Sequence, residues 1–240
     1  SAATVRAALT QAVHHVRHRR AFGALLAEQP LMQNVLADLA LESEAAVTLT
    51  MRMAHAMDHR ATDEHEELMV RIATAVGKYW ICKRTPNHAY EAMECIGGSG
   101  VMEDSPYPRL YREAPINAIW EGSGNVQCLD VLRAMQKTPA VVEAFVAELK
   151  KAKGGHALLD THVATLLKAF ADPSDFEVRG RDVVDRMALA LQAALLVQHA
   201  PSAVADAFCR SRLATAGLHN YGALAGDTDF KAVLQRAWPA

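Results

Sequence analysis

The chain has 240 residues, a net charge of −2, 51% hydrophobic residues and 22% charged residues. That length can bury a substantial core in one large or two small domains, and the near-neutral balance gives no general pull towards nucleic acid or an anionic membrane. No apolar run approaches the roughly 20 residues needed to span a bilayer, and no signal-peptide pattern is present. The four cysteines, Cys82, Cys95, Cys128 and Cys209, form no CxxC pair and no zinc-ligand spacing. They are expected to be reduced, buried packing residues of a cytoplasmic protein.

Aromatic residues are only 6% of the chain, and the dominance of Ala and Leu favours helix. Val5, Ala8, Leu9, Ala12, Val13 and Val16 recur at helical spacing from almost the first residue, so the chain is expected to be a piece of a longer protein. Phe22 and Gly23 break this helix. A second helix is predicted from Pro30, a favoured first-turn residue, to about residue 58. A third runs from about 64 to 94, with Pro86 as a site of kinking. The Gly- and Pro-rich stretch 97–117 reads as a structured loop, and a fourth helix covers about 123–135. Beyond Pro139, helical periodicity continues over 140–170, 176–200 and 202–217, interrupted at 153–155, 171–175 and 200–201. The Gly-rich stretch 217–227 reads as a loop. The expected fold is all-α: an antiparallel four-helix bundle over residues 1–138 with a helical extension over 139–240.

Three segments carry glycines between helices: RRAFG (19–23), ECIGGSG (94–100) and WEGSGN (120–125). Any one alone reads as a helix cap. Each, however, also carries a charged or amide side chain. Gly-rich turns expose backbone amides that bind phosphate, and arginine adds a charge-assisted fork. Glu121, taken alone, reads as a carboxylate placed near a helix N-terminus.

The order RRAFG, LADLALE, ECIGGSG and then PRLYREAPINAIWEGSGNVQCLDVLR resembles the C-terminal helical domain of the acyl-CoA dehydrogenases. The block from Tyr107 to Arg133 is most similar to the AidB branch, flavoproteins associated with the response to DNA alkylation. The resemblance implies an acyl-CoA-dehydrogenase-like bundle and, in the whole protein, an N-terminal helical domain and a middle β-domain that this chain lacks. It implies FAD as cofactor and α,β-dehydrogenation of an acyl-CoA thioester. Glu121 would be the base taking the α-proton, with the β-hydride passing to flavin N5. Arg19 would reach the FAD diphosphate of a neighbouring subunit, with Phe22 the aromatic beside it. Gly97 and Gly98 would let backbone approach the ADP end, and Ser123 and Asn125 would contact FAD. Glu94 and Pro30 stand where many relatives carry Gln. Trp120 would wall the pocket and keep water from Glu121.

Two other function classes follow from the same sequence. One is a DNA-associated role with vestigial dehydrogenase chemistry, drawing on HHVRHRR (14–20), Lys83, Arg84, Arg109 and Arg112. The 12 basic and 11 acidic residues after residue 135 give that role little electrostatic support. The other is an assembly module, since helical domains of this family pack into dimers or tetramers. His14 and His18 have a metal-compatible spacing but no evident third ligand, so no metal site is expected. Met51, Met53, Met57, Met69 and Met93 read as core filler. A piece without the β-domain is expected to retain no FAD and to be inactive alone.

Overall fold

The computed structural model describes residues 1–172, 176–214 and 228–237. It is all-α apart from one two-residue hairpin. Helix α1 (Ala2–His18) buries Val5, Ala8, Leu9, Ala12, Val13 and Val16, the stripe its periodicity predicts. Strands β1 (Arg20–Ala21) and β2 (Ala24–Leu25) then pair antiparallel around Phe22 and Gly23. Both turn residues have positive φ, 53° and 84°, as a tight two-residue hairpin turn requires. The expected helix break is therefore a built turn.

Helix α2 (Pro30–His59) starts on proline, and α3 (Glu64–Glu94) starts at Asp63, whose carboxylate accepts the His65 amide at 2.9 Å. Three glutamates in the first turn of α3 match the positive end of its dipole. The helix continues unbroken through Pro86. Cross-contacts give the directions. Arg52 meets Glu66, Glu42 meets Arg84, and the Leu39 carbonyl accepts from His88, so α2 and α3 are antiparallel. Ser1 touches Cys82, and Ala8 shares a small cavity with Ala89 and Ala92, so α1 runs parallel to α3. Helix α5 (Gly124–Lys137) returns antiparallel, with Gly124 beside Tyr79 and Asp130 bonded to Arg71. These four helices form the bundle, with α3 packed against the other three.

The stretch 97–117 is more ordered than a loop. It folds into a 3₁₀ turn at Gly97–Val101, helix α4 (Tyr107–Glu113) behind Pro106, and a second 3₁₀ turn at Ala114–Ala118. Prolines at first-turn positions, rather than any long apolar period, set these short elements. After Pro139 come α6 (Ala140–Lys150), α7 (Ala157–Ala171), α8 (Gly180–His199), α9 (Ser202–Arg212) and α10 (Phe230–Ala237). Helix α9 ends earlier than the expected 217, α10 was not anticipated, and the loop expected over 217–227 lies outside the described residues. Helix α8 packs on α2, α3 and α5, and one buried apolar cluster contains residues from both sides of Pro139. All four cysteines are free and buried, and burial pushes the Cys95 and Cys209 thiols up to about 12. Of the methionines, Met69 is core, whereas Met51 and Met57 are exposed on the outer side of α2, contrary to the core-filler reading.

Two buried ionic nodes tie the extension to the bundle. Arg52 of α2 bonds Glu66 of α3 and Glu148 of α6, each at 2.6 Å, and Lys151 and His65 also reach Glu148. On the same helix, Glu42 takes Arg84 of α3 at 3.0 Å and Arg212 of α9 at 3.4 Å, while Asp38 also bonds Arg212. Burial opposes the charge on Glu42, but Arg84 and Arg212 outweigh it and hold the carboxyl down at about 2. Glu148 is likewise about 2, its burial outweighed by hydrogen bonds from Arg52 and Lys151. Burial moves His88 the other way, down to about 4.

The signs combine. Each depressed carboxyl contributes stability that is present above its unfolded value near 4.5 and is lost as pH falls towards 2. His88, held neutral, costs stability as pH falls from 6.5 to 4, because the unfolded chain binds that proton first. The melting temperature should therefore fall on acidification below about pH 6 and most steeply below about pH 4.5. Glu42→Gln should lower it at neutral pH, and the gap to the parent should close by about pH 2–3. Thermal melts across this range check both; a parent melting temperature that is flat from pH 6 to 3 contradicts the assignment.

Candidate functional site

Glu121 lies in the link between the 3₁₀ turn at Ala114–Ala118 and helix α5, and its φ is 53°. A left-handed conformation costs an ordinary L-residue about 1–2 kcal/mol, so it persists only where its surroundings enforce it. The enforcing groups are visible. The Lys78 ammonium, on α3, donates to the Trp120 carbonyl at 2.6 Å and the Gly122 carbonyl at 2.7 Å. The Gln127 side-chain amide, on α5, donates to the carbonyls of Glu121 at 3.0 Å and Gly122 at 3.2 Å. Gly122 has φ of 99°, and a Cβ there would stand 2.5 Å from Gln127 Nε2. The turn thus has its carbonyls tied inward by two side chains and the Glu121 carboxylate left on the surface.

Ser123 is the N-cap residue of α5, yet its hydroxyl makes no capping bond, so it is left for another partner. Gly124 places the start of α5 against α3, beside the Tyr79 ring and Lys83. Asn125 is held at its Oδ1 by Arg181 Nε of α8 at 2.9 Å. Around the turn, Ile119, Trp120 and Val126 are exposed, Trp120 by 57%. On this chain Trp120 stands exposed beside the Glu121 turn. It is one side of an apolar surface open to solvent.

Arg19 and Phe22 lie elsewhere. Arg19 caps α1 with an extended backbone, and its carbonyl accepts the Leu26 amide at 2.9 Å. Phe22, at the hairpin tip, is 93% exposed. Gly97 follows the end of α3 with φ of 74°, and added Cβ atoms at Gly97 and Gly98 would meet open space. Because α1 runs parallel to α3, Arg19, Phe22, Gly97 and Gly98 belong to one end of the bundle. Lys78, which marks the Glu121 turn, lies 16 residues before the end of α3, or about 24 Å along it. The seven sequence-singled residues therefore divide into two sets: Glu121, Ser123 and Asn125 at mid-bundle, and the other four at its end. Phe22 and Glu121 are the two non-glycine residues with positive φ among the described residues, one in each set.

The other candidates are engaged differently. Arg84 is committed to Glu42, and Arg112 to Glu103, so neither extends a free basic surface. His18 bonds the His14 carbonyl at 2.7 Å, and no cluster of three metal-ligating side chains occurs among the described residues. The residues that the sequence reading missed are Lys78, Gln127 and Arg181. A lysine inside the apolar run ATAVGKYWI was the available signal for Lys78; Arg181 is 56 positions from its partner and gave none.

The clamp on this turn is testable in isolation. Lys78→Met should remove two charge-assisted bonds and destabilise the turn by about 2 kcal/mol, and Gly122→Ala should strain it by a similar amount. Hydrogen–deuterium exchange should quicken in residues 119–124 and stay unchanged in α1. Unaltered exchange at the turn in both variants counts against the clamp.

Residues 1–136 match the family described as acyl-CoA dehydrogenase, C-terminal domain. The chain is 40% identical over 217 residues to the putative acyl-CoA dehydrogenase AidB of Escherichia coli K12, covering 90% of this chain and 40% of that protein. It is 28% identical over 204 residues to acyl-CoA dehydrogenase family member 11 of Caenorhabditis elegans, covering 76% of this chain and 33% of the relative. The crystal structure of C. elegans ACDH-11 in complex with C11-CoA superposes with a TM-score of 0.81 at 24% identity, covering 89% of this chain and 41% of that one. An acyl-CoA dehydrogenase complexed with FAD from Bacillus anthracis shares the fold, with a TM-score of 0.66 at 17% identity, covering 89% and 45%. The chain thus spans less than half the length of these relatives, and over the matched part it belongs to the acyl-CoA dehydrogenase C-terminal domain family.

Proposed function

We propose that this chain is the C-terminal part of an FAD-dependent acyl-CoA dehydrogenase of the AidB type, and that Glu121 is its catalytic base. The observation that carries the reading is the Glu121 turn: a carboxylate held on strained backbone by Lys78 and Gln127, and presented outward. Strain of this kind persists where a function needs the resulting geometry. The bound CoA ester of the ACDH-11 structure and the FAD of the B. anthracis structure support the same substrate and cofactor classes here.

The local donor set fits FAD. The uncapped Ser123 hydroxyl and the Asn125 amide stand beside Glu121, and Gly97 and Gly98 leave backbone open at the bundle end. Bound FAD would supply the two-electron acceptor for the β-hydride. Glu121 takes the α-proton; the electron pair of that C–H bond becomes the second bond between the α- and β-carbons. Fixed backbone keeps the carboxylate in line with the substrate, and the neighbouring glycine lets that substrate approach closely. Trp120 and Ile119 would border the acyl chain once further protein covers them. Arg19 and Phe22 lie at the bundle end, away from the base at mid-bundle, which suits service to the cofactor of a second copy. A dimer or tetramer in a cytoplasmic setting follows from this reading.

The test uses the complete gene product. Glu121→Gln should slow flavin reduction by an acyl-CoA by about 10²–10⁴-fold, with FAD content unchanged. Reduction as fast as in the parent rejects Glu121 as base. If the parent shows no flavin reduction by an acyl-CoA yet binds DNA in a salt-dependent way, the dehydrogenase reading yields to a DNA-associated role. Arg19→Ala should lower FAD retention, and sedimentation should show an assembly larger than a monomer.

A further inference from the structure

We propose that Arg181, on α8 of the helical extension, is a positioning residue for the cofactor, acting through Asn125; this rests on the FAD reading given above. Its Nε donates to Asn125 Oδ1 at 2.9 Å. A guanidinium has donors only, so the atom it holds must be the amide oxygen and cannot be the amide nitrogen. The bond therefore fixes which way the Asn125 amide faces. Its oxygen is spent on α8, and its two N–H donors are left for a ligand that offers acceptor oxygens, as a dinucleotide does throughout its diphosphate and flavin carbonyls.

The approach of α8 is built into the sequence. Gly180, the first residue of α8, lies against α5, and a Cβ there would stand 3.3 Å from Leu132 Cδ1 and 3.9 Å from Cys128 Cβ. The start of α8 thus lies against α5, and the next residue, Arg181, reaches Asn125. Together they stand at a cleft of about 270 Å³ that also takes in Cys128 and Leu129. Asp185, one turn further along α8, faces Tyr79 of α3, and burial beside it raises the Tyr79 hydroxyl's pKa. No ion pair of Arg181 and no hydrogen bond of its terminal nitrogens occurs among the described residues, so the guanidinium has donors to spare beside the site.

The consequence is that the extension is part of the cofactor site. Part of what orients an FAD-contacting side chain comes from beyond residue 136, outside the stretch that matches the family.

The experiment titrates FAD into the apo form of the complete gene product and follows quenching of flavin fluorescence, for the parent, Asn125→Ala, Arg181→Ala, Arg181→Lys and the Asn125→Ala/Arg181→Ala double variant. Both single alanine variants should raise the Kd for FAD by about tenfold. The double variant should be no worse than the weaker single, because the two residues act as one unit. Arg181→Lys, which keeps a donor and the charge, should recover part of the affinity, and the melting temperature of the apoprotein should not change. Parent-like FAD affinity in Arg181→Ala beside a weakened Asn125→Ala overturns the proposal while leaving the FAD reading intact. Parent-like affinity in both singles removes the FAD role of Asn125 itself. Multiplying effects in the double variant, or a loss that tracks a lower melting temperature and is not recovered by lysine, also overturn it. A changed KM for acyl-CoA at unchanged FAD affinity assigns the donors to the substrate's phosphates instead and overturns it as well.

Discussion

The Lys78 ammonium between two carbonyls is the contact on which the candidate chemistry depends. Glu121 has no intrinsic reason to sit at φ of 53°; a relaxed link would turn the carboxylate elsewhere. Lys78 reaches both ends of the turn, at Trp120 and Gly122, and Gln127 closes the middle. Lys78 in turn is placed by α3, a 31-residue helix that packs against α1, α2 and α5. The chain of cause runs from a long helix, to one lysine on its partly covered face, to two carbonyl oxygens, to the direction of one carboxylate. Had the carbonyls been left to water, the turn would fluctuate among conformers, and a base that must meet a C–H bond would lose the orientation that makes it useful.

The same helix sets the division of the candidate site into two parts. Its middle holds the Glu121 turn, and its C-terminal end leads into Gly97, at the end of the bundle where α1 leads into the Arg19 hairpin. On the proposed reading, either one long cofactor links the two parts or each serves a different cofactor in an assembly. The exposure of Phe22, 93%, argues for the second arrangement. An aromatic ring on a strained hairpin tip gains nothing in water, and it gains a good deal against another protein surface or a purine ring.

What could be read from the sequence follows from how local each signal is. The long helices were legible because an amphipathic stripe repeats within each one: Val5 to Val16 in α1 is a local pattern with a buried outcome. The three glycine segments were legible as motifs, and Glu121 within them, because residue type and order carry the resemblance. The short elements between 97 and 118 were not, since a seven-residue helix is too short to display a period and is set by prolines and by contact with α3. The clamp was illegible for a different reason: Lys78 and Trp120 are 42 positions apart, and only the pairing of α3 with the turn joins them. Whether Arg84 belonged to a basic surface or to a salt bridge could not be read from the sequence, because it shows charge without showing that Glu42 lies opposite Arg84.

The extension shows how a domain boundary in sequence differs from one in energy. Pro139 begins a new stretch of helices, yet α8 lies on α2, α3 and α5 and shares their apolar core. Two buried carboxylates, Glu42 and Glu148, are then satisfied by arginines or lysines from the other side of that boundary as well as from their own. Removing the extension would strip Arg212 from Asp38 and Glu42, and would leave Arg52 with Glu66 alone. Buried charges deprived of a partner are strongly destabilising, more so than the pairs are stabilising. The bundle of this chain is thus committed to its extension: its own core carries charges that the bundle by itself leaves under-compensated. The same extension reaches the candidate site, where Arg181 holds Asn125.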